Sequence, residues 1–349
     1  MTAEIDPWLV ENLVCPVDQS ALVFDGSVFR SAAGRQYPVV DGIPVMLPAD
    51  GGHTIGLAAA SLQRAGGHAG GTDERAPHLY LESVGISDAE KEKVLELAQD
   101  PALKIDPVAA CLVAATNGIG YKHLIGALDR YPIPELRLPP GNGKRLLDVG
   151  CSWGRWSVAA ARKGYQAVGL DPSLGAVMAA RRVSRQLGLP NLHLVADARH
   201  LPFRDGSFDT FFSYSVLQHF SQENAGMAIQ EAGRVLVHGG SSLAQMPNRL
   251  GIRCLQHQLA RRFRAPVDFE VRYWSLAELK RVFSASIGHT SVEVDCFFGL
   301  GLQKSDMAVM TPFMRAAIQV SEALRTASAV LPPLTWLADS VYLRSTKAV

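Results

Sequence analysis

Arg145-Leu146-Leu147-Asp148-Val149-Gly150-Cys151-Ser152-Trp153-Gly154-Arg155-Trp156-Ser157 reads as a strand, a tight glycine turn and the start of a helix. Leu146, Leu147 and Val149 make a short apolar run suited to a buried parallel strand. Gly150 and Gly154 let the backbone turn sharply and approach a ligand where a Cβ would intrude. Such a turn aims free amides and the positive end of the following helix at an anionic group, a phosphate or an amino acid's carboxylate. Taken alone, the same turn also serves plain strand-to-helix geometry, so its meaning depends on the strands that follow.

Those strands end alike. Residues 166–171 read as a second strand closing on the carboxylate of Asp171. Asp171 lies roughly 20 residues beyond Asp148, the spacing at which a doubly wound fold places an acid beside ribose hydroxyls. A third strand over 192–196 ends at Asp197-Ala198, and a fourth over 208–214 follows the turn Arg204-Asp205-Gly206. Ligands of open α/β sheets bind outside the carboxyl ends of the strands, which gathers Gly150, Asp171, Asp197 and Ser213 around one crevice.

This run of motifs, over roughly 145–248, resembles the class I S-adenosylmethionine-dependent methyltransferases. The resemblance implies an α/β fold with a Rossmann-like, seven-stranded, doubly wound sheet whose last strand is antiparallel, and S-adenosyl-L-methionine as cofactor. It implies that Asp148, Gly150 and Gly154, with Ser152 and Trp153 between them, form the loop at the methionine end of the cofactor. It places Asp171, followed by Pro172, on the ribose, Asp197 on the adenine amino group with Ala198 beside it, and Ser213 on the methionine side. Ser152 departs from the family, which usually has a middle glycine there, and Trp153 adds bulk; the loop reads as a variant. A nicotinamide dinucleotide enzyme is the competing reading. It fits less well, because the pyrophosphate fingerprint wants glycines at the first, third and sixth positions, and from Gly150 only the first is clearly met.

Ahead of the core, Asp25-Gly26 and Asp41-Gly42 are hairpin turns between short apolar runs, which predicts a small β module over residues 1–50. With Cys15-Pro16-Val17-Asp18, the signature Tyr37-Pro38-Val39-Val40-Asp41-Gly42-Ile43-Pro44 makes this segment similar to the Trm112-like small zinc-ribbon family. The metal ligands of that family are missing: Asp18 stands at the second cysteine of the knuckle, and 30–34 has no cysteine. Tetrahedral zinc needs about four Cys or His ligands, so no metal is expected. The module reads either as a docking or substrate-presenting unit or as a stabilising appendage. Residues 51–75, rich in Gly, Ala and His with little periodicity, read as a linker. The dispersed His53, His68 and His78 are not expected to hold a metal.

Residues 76–140 read as a helical segment that either folds over the ligand as a lid or only covers the sheet. Ser87-Asp88-Ala89-Glu90 is a capping box, further helices are expected over 109–115 and 121–128, and Tyr80, Asn117, Tyr121 and His123 are candidate cavity-facing groups. The cofactor-binding core spans 141–250. Within 251–349, a helix at 276–283 and strands at 291–298 and 339–344 complete the sheet. Residues 302–337, together with 253–274, form an insertion expected to shape the acceptor pocket.

Of the 349 residues, 48% are hydrophobic and 19% charged, which suits a chain with a large core, and the net charge of +1 gives no global field to hold nucleic acid. Arg261-Arg262 with Arg264 is a local basic cluster of the kind a solvated face carries. Five cysteines without paired spacing, an acidic start and no apolar run near the roughly 20 residues of a membrane span predict a cytoplasmic protein without a disulfide framework. The oligomeric state is left open, a homodimer included.

Methyl transfer from a sulfonium is an in-line displacement that needs acceptor and methyl aligned at about 3–3.5 Å. A hydroxyl acceptor must also lose a proton to a nearby base. His219, just after the fourth strand, is the candidate catalytic base or acceptor-orienting group; its other reading is a structural histidine capping the next helix. Asn248, Arg272 and Tyr273 are alternatives from the pocket side, and His193, His200 and His238 read as surface or loop residues. The expected activity is transfer to a small-molecule or saccharide hydroxyl. Carbon methylation of a quinone-like ring, modification of tRNA or a translation factor, and a cofactor-binding scaffold without turnover stay open.

Overall fold

A computed structural model describes residues 5–49, 56–67, 79–81, 84, 86–116, 119–124, 126–299 and 301–349. Helix α1 (Pro7–Asn12), capped by Asp6, leads into four short antiparallel strands, β1 (Leu22–Phe24), β2 (Val28–Ser31), β3 (Gln36–Val40) and β4 (Ile43–Met46). Helices α2 (Gly56–Gly67), α3 (Asp88–Gln99) and α4 (Pro107–Thr116) follow. The core then alternates: β5 (Arg145–Val149), α5 (Arg155–Arg162), β6 (Gln166–Asp171), α6 (Leu174–Gln186), β7 (Leu192–Ala196), β8 (Phe208–Ser213), α7 (Gln222–Val235) and β9 (Leu236–Pro247). Helices α8 (Ile252–Ala260) and α9 (Leu276–Ser286), strand β10 (Gly288–Cys296), helices α10 (Pro312–Ser328) and α11 (Leu334–Leu337), and strand β11 (Ser340–Lys347) complete the described chain.

The eleven strands among the described residues belong to one sheet, in the order β1-β2-β3-β4-β7-β6-β5-β8-β9-β11-β10. From β7 to β10 this is the expected seven-stranded, doubly wound sheet, parallel through β9, with β11 antiparallel to both β9 and β10. The connections reverse direction at β5, which has β6 on one side and β8 on the other, and a crevice opens where the chain parts. Alternation along β5 buries both faces. Leu147 and Val149 join the core under α7 and α9, with Ile229, Leu279 and Phe283, while Leu146 packs with Trp156 and Ala160 of α5.

The first fifty residues extend the sheet. Strand β4 pairs in parallel with β7 through Val45↔Val195 and Met46↔Ala196, and Phe29 and Met46 join the same core as Leu147. Cys15 Sγ lies 3.2 Å from the Tyr37 hydroxyl, and Asp18 pairs with Arg35. Hydrogen bonds from Ser20 and Cys15, with the Arg35 guanidinium adding a smaller pull, hold the Asp18 carboxyl well below the usual carboxylate range. Among the described residues no three metal-ligating side chains come together.

Several local expectations are corrected. The stretch read as linker holds helix α2, because Ala58, Leu62 and Ala65 recur at helical spacing and pack on Leu174, Val177 and Met178 of α6; its small residues hid the period. The helix expected over 121–128 is a 3-10 turn, Ile119–Leu124, and Gly126 at φ +76° takes the chain out of helical geometry. Tyr80 is buried with its hydroxyl on Asp41, and Tyr121 is buried between Arg155 and Asp306, so neither faces the crevice; His123 is exposed, and Asn117 lies outside the described residues. His193 is no surface residue: it is 4% exposed within β7, and burial pushes its imidazole down to about 3, so the ring is neutral.

Candidate active site

A cavity of about 980 Å³ lies at the carboxyl ends of β5, β6, β7 and β8, at the top of the range of roughly 300–1,000 Å³ usual for small-molecule sites. Its floor is the β5 turn. Gly150 has φ +74°, and a Cβ there would sit 2.2 Å from Val216 Cγ2, so this backbone requires glycine. Ser152 adopts φ +47°, the left-handed conformation a glycine would take freely. The residue differs from the usual middle glycine while keeping glycine's backbone. Trp153 is fully buried against Tyr131, with ring centroids 5.8 Å apart.

Asp171 binds this turn to the next loop. Its carboxylate accepts the Ser152 amide at 3.1 Å and the Ser173 amide at 2.9 Å. Burial pushes the acid up to about 6, against the pull of those two amides. A residue not identified in the sequence supports the loop from outside: Ser61 of α2, fully buried, donates to the Pro172 carbonyl at 2.7 Å and accepts the Leu174 amide at 2.8 Å. A serine in an alanine-rich stretch gives no local signal of such a contact.

Of the residues expected around the cofactor, Gly150, Ser152, Trp153, Asp171, Pro172, Asp197 and Ala198 line the cavity, and Asp148, Gly154 and Ser213 do not. Asp148 is buried beneath the turn and accepts the Ser157 hydroxyl at 2.6 Å; burial pushes it up to about 7. Gly154 starts α5 and lets it approach Ala180 of α6, where a Cβ would come within 3.1 Å. Ser213 is 1% exposed, and the next residue, Tyr214, reaches the cavity instead. Asp197 lines the wall with both carboxylate oxygens bridged by Arg199, at 2.7 Å from Nη2 and 3.1 Å from Nε.

His219 lies on the wall, in the 3-10 turn Leu217–His219. Its Nδ1 is 2.7 Å from the Phe269 carbonyl, which can only accept, so Nδ1 carries the hydrogen and the Gln218 side-chain amide, 3.2 Å away, faces Nε2. The ring stacks on Phe269 with centroids 3.9 Å apart. Burial is the main cause that lowers the imidazole below its ordinary value, and Arg272 adds to it. The helix-capping role belongs to Ser221, whose hydroxyl accepts the Asn224 amide.

The three alternatives to His219 do not line the cavity. Asn248 holds the carbonyls of Trp336 and Ala338, Arg272 donates to those of His219, Asp268 and Glu270, and the Tyr273 hydroxyl meets His257. Of the insertion expected to shape the acceptor side, Phe269 lines the wall and 302–337 contributes no lining residue; Gly299 and Gly301, from the link between its two parts, and Val84, Ile86 and Leu112 from the helical segment join Phe269. Tyr214 is set by a 2.9 Å bond to Asp295, which also holds Arg137 and Ser340.

These residues suit S-adenosylmethionine: a turn that only glycine geometry fits, a buried Ser152 hydroxyl without a partner among the described residues, and an acid at the end of β6. Comparison with known proteins agrees. Residues 146–240 match the family described as a methyltransferase domain. A ubiquinone biosynthesis O-methyltransferase of Azorhizobium caulinodans is 29% identical over 112 residues, 32% of this chain and 44% of that protein, so the chain spans less than half of this relative. A UPF0434 protein of Maricaulis maris is 48% identical over 50 residues, 14% of this chain and 79% of that protein. A solved complex of the Trm112 methyltransferase activator of Haloferax volcanii with a methyltransferase has 18% identity and a TM-score of 0.43, covering 69% of this chain and 93% of that one. Residues 146–240 form a methyltransferase domain of the S-adenosylmethionine-dependent kind, and the N-terminal segment belongs to the Trm112-like UPF0434 family.

Proposed function

We propose that this protein transfers the methyl group of S-adenosylmethionine to a hydroxyl of a small, largely apolar acceptor, with His219 as base. One observation carries the reading: an imidazole, fixed through Nδ1 by the Phe269 carbonyl, shares a cavity with the glycine turn and Asp171. The cofactor, when bound, supplies an electrophilic methyl on a sulfonium. The Gly150–Trp153 turn would hold its methionine end, Asp171 its ribose hydroxyls, and Asp197 with Ala198 its adenine. Once the acceptor displaces the Gln218 amide, His219 Nε2 takes the hydroxyl proton.

The wall formed by Val84, Ile86, Leu112, Trp156, Phe220 and Phe269 favours a ring or aliphatic skeleton over a saccharide, whose hydroxyls would lack partners there. A relative named as an O-methyltransferase of ubiquinone biosynthesis supports the same choice. The test is calorimetric titration with S-adenosylmethionine and with NADH, followed by an assay for S-adenosylhomocysteine release on phenolic, aliphatic and sugar alcohols. Binding of the methyl donor with turnover on a phenol is expected. Binding of NADH instead, or turnover only on sugars, would sink the reading.

A further inference from the structure

Helix α8 is packed inside out. Its buried side chains are Cys254 and Gln258, whose polar atoms bond the Asp339 carbonyl and the carbonyls of Arg249 and Cys254. Ile252, Leu255 and Leu259, spaced to share one helix face, are 46%, 37% and 57% exposed. Trp336, whose carbonyl accepts from Asn248 just ahead of α8, also has its side chain half exposed. Phe269, further along the chain, is more than half exposed while it lines the cavity wall and stacks on His219. Single exposed leucines are ordinary, but three apolar side chains on one exposed helix face mark a site of interaction.

Charge indicates the partner. Between Arg249 and Arg264 the chain has five arginines and no Asp or Glu. Arg264 is matched by Glu270, while Arg253 and Arg261 bond neutral oxygens of Gln256 and Val271. A second copy docking through the same face would set these cations against one another. An anionic lipid surface accepts both the apolar stripe and the arginines around it. We infer that α8 and Trp336 lie on an anionic phospholipid surface and bring the cavity mouth to it, so that the acceptor enters from the lipid. Docking stands on this surface alone; the route of the acceptor rests on the function proposed above.

The experiment is flotation of the full chain with phosphatidylcholine vesicles, with and without phosphatidylglycerol. Binding is expected on the anionic vesicles only, weakening as salt rises. Leu255→Gln with Leu259→Gln should abolish it, and Arg253→Gln with Arg262→Gln should weaken it by about fivefold per arginine removed. All four side chains lie outside the cavity wall, so both variants should keep the affinity for S-adenosylmethionine and the unfolding temperature of the parent. No flotation with anionic lipid overturns the proposal. So does a dimer in solution that the leucine variant dissociates, which would assign this face to a second copy. Flotation without any binding of S-adenosylmethionine would leave the docking intact and overturn only the methyl-transfer reading.

Discussion

The Asp171 carboxylate accepts the Ser152 amide at 3.1 Å, tying the turn after β5 to the loop after β6 across the crevice. Loss of this charge loosens both loops at once. Asp171→Asn is expected to weaken binding of S-adenosylmethionine by about 10- to 100-fold, the worth of hydrogen bonds to a charged group. Calorimetry measures it directly.

The same acid sets a pH dependence with two opposite senses. Its native value of about 6 lies above the ordinary carboxylate value, so the folded chain holds this proton more tightly than the unfolded chain. Its contribution to stability is full below about pH 4 and lost as pH rises through about 6. If Asp171 holds the ribose as proposed, cofactor affinity requires the ionised form and should fall as pH drops below about 6. Denaturation and titration on both sides of that pH, in the parent and in Asp171→Asn, separate the two trends; a flat affinity profile in the parent would remove Asp171 from the ribose.

His219→Ala should lower kcat by about 10²- to 10⁴-fold, the usual contribution of a general base. The dissociation constant for S-adenosylmethionine should stay unchanged. Because burial holds the imidazole below its ordinary value, the acidic limb of the parent's kcat profile should fall below about pH 6.5 and vanish in the variant.

Ser61→Ala leaves the buried Leu174 amide and Pro172 carbonyl without their partner, at a cost of about 1–3 kcal/mol in stability. As Ser61 positions the loop of Asp171, the variant should raise KM for S-adenosylmethionine and spare kcat. A drop in unfolding temperature with KM unaltered would reduce Ser61 to a structural role.

Ser152→Gly relaxes a left-handed residue without changing the turn. It is expected to raise stability by about 1 kcal/mol, within the cost of such backbone strain. Chemical denaturation reports the gain, and cofactor affinity should be retained.

The strand-end side of the crevice was legible in the sequence because its signals are local. An apolar run, a glycine turn and a terminal acid occupy a few consecutive residues, and β5, β6 and β7 announce themselves that way. The resolution of such a reading is about one residue: strand alternation places Ser213 beneath the sheet end and Tyr214 at the cavity. The opposite, apolar wall was opaque. Val84, Leu112, Phe269 and Gly301 come from four distant segments and meet only through tertiary packing. Ser61 was hidden for a related reason, since its partners lie 111 and 113 residues away.

Strand β4 lies along the outer side of β7 through Val45 and Met46. Without it, the amides and carbonyls of β7 on that side would form an open template on which another chain could add a strand. Four short strands move the boundary of the sheet outward to β1, only three residues long, and a stub of that length offers little to pair with. The N-terminal module therefore guards the enzyme against edge-to-edge aggregation, a service that needs no metal and no partner.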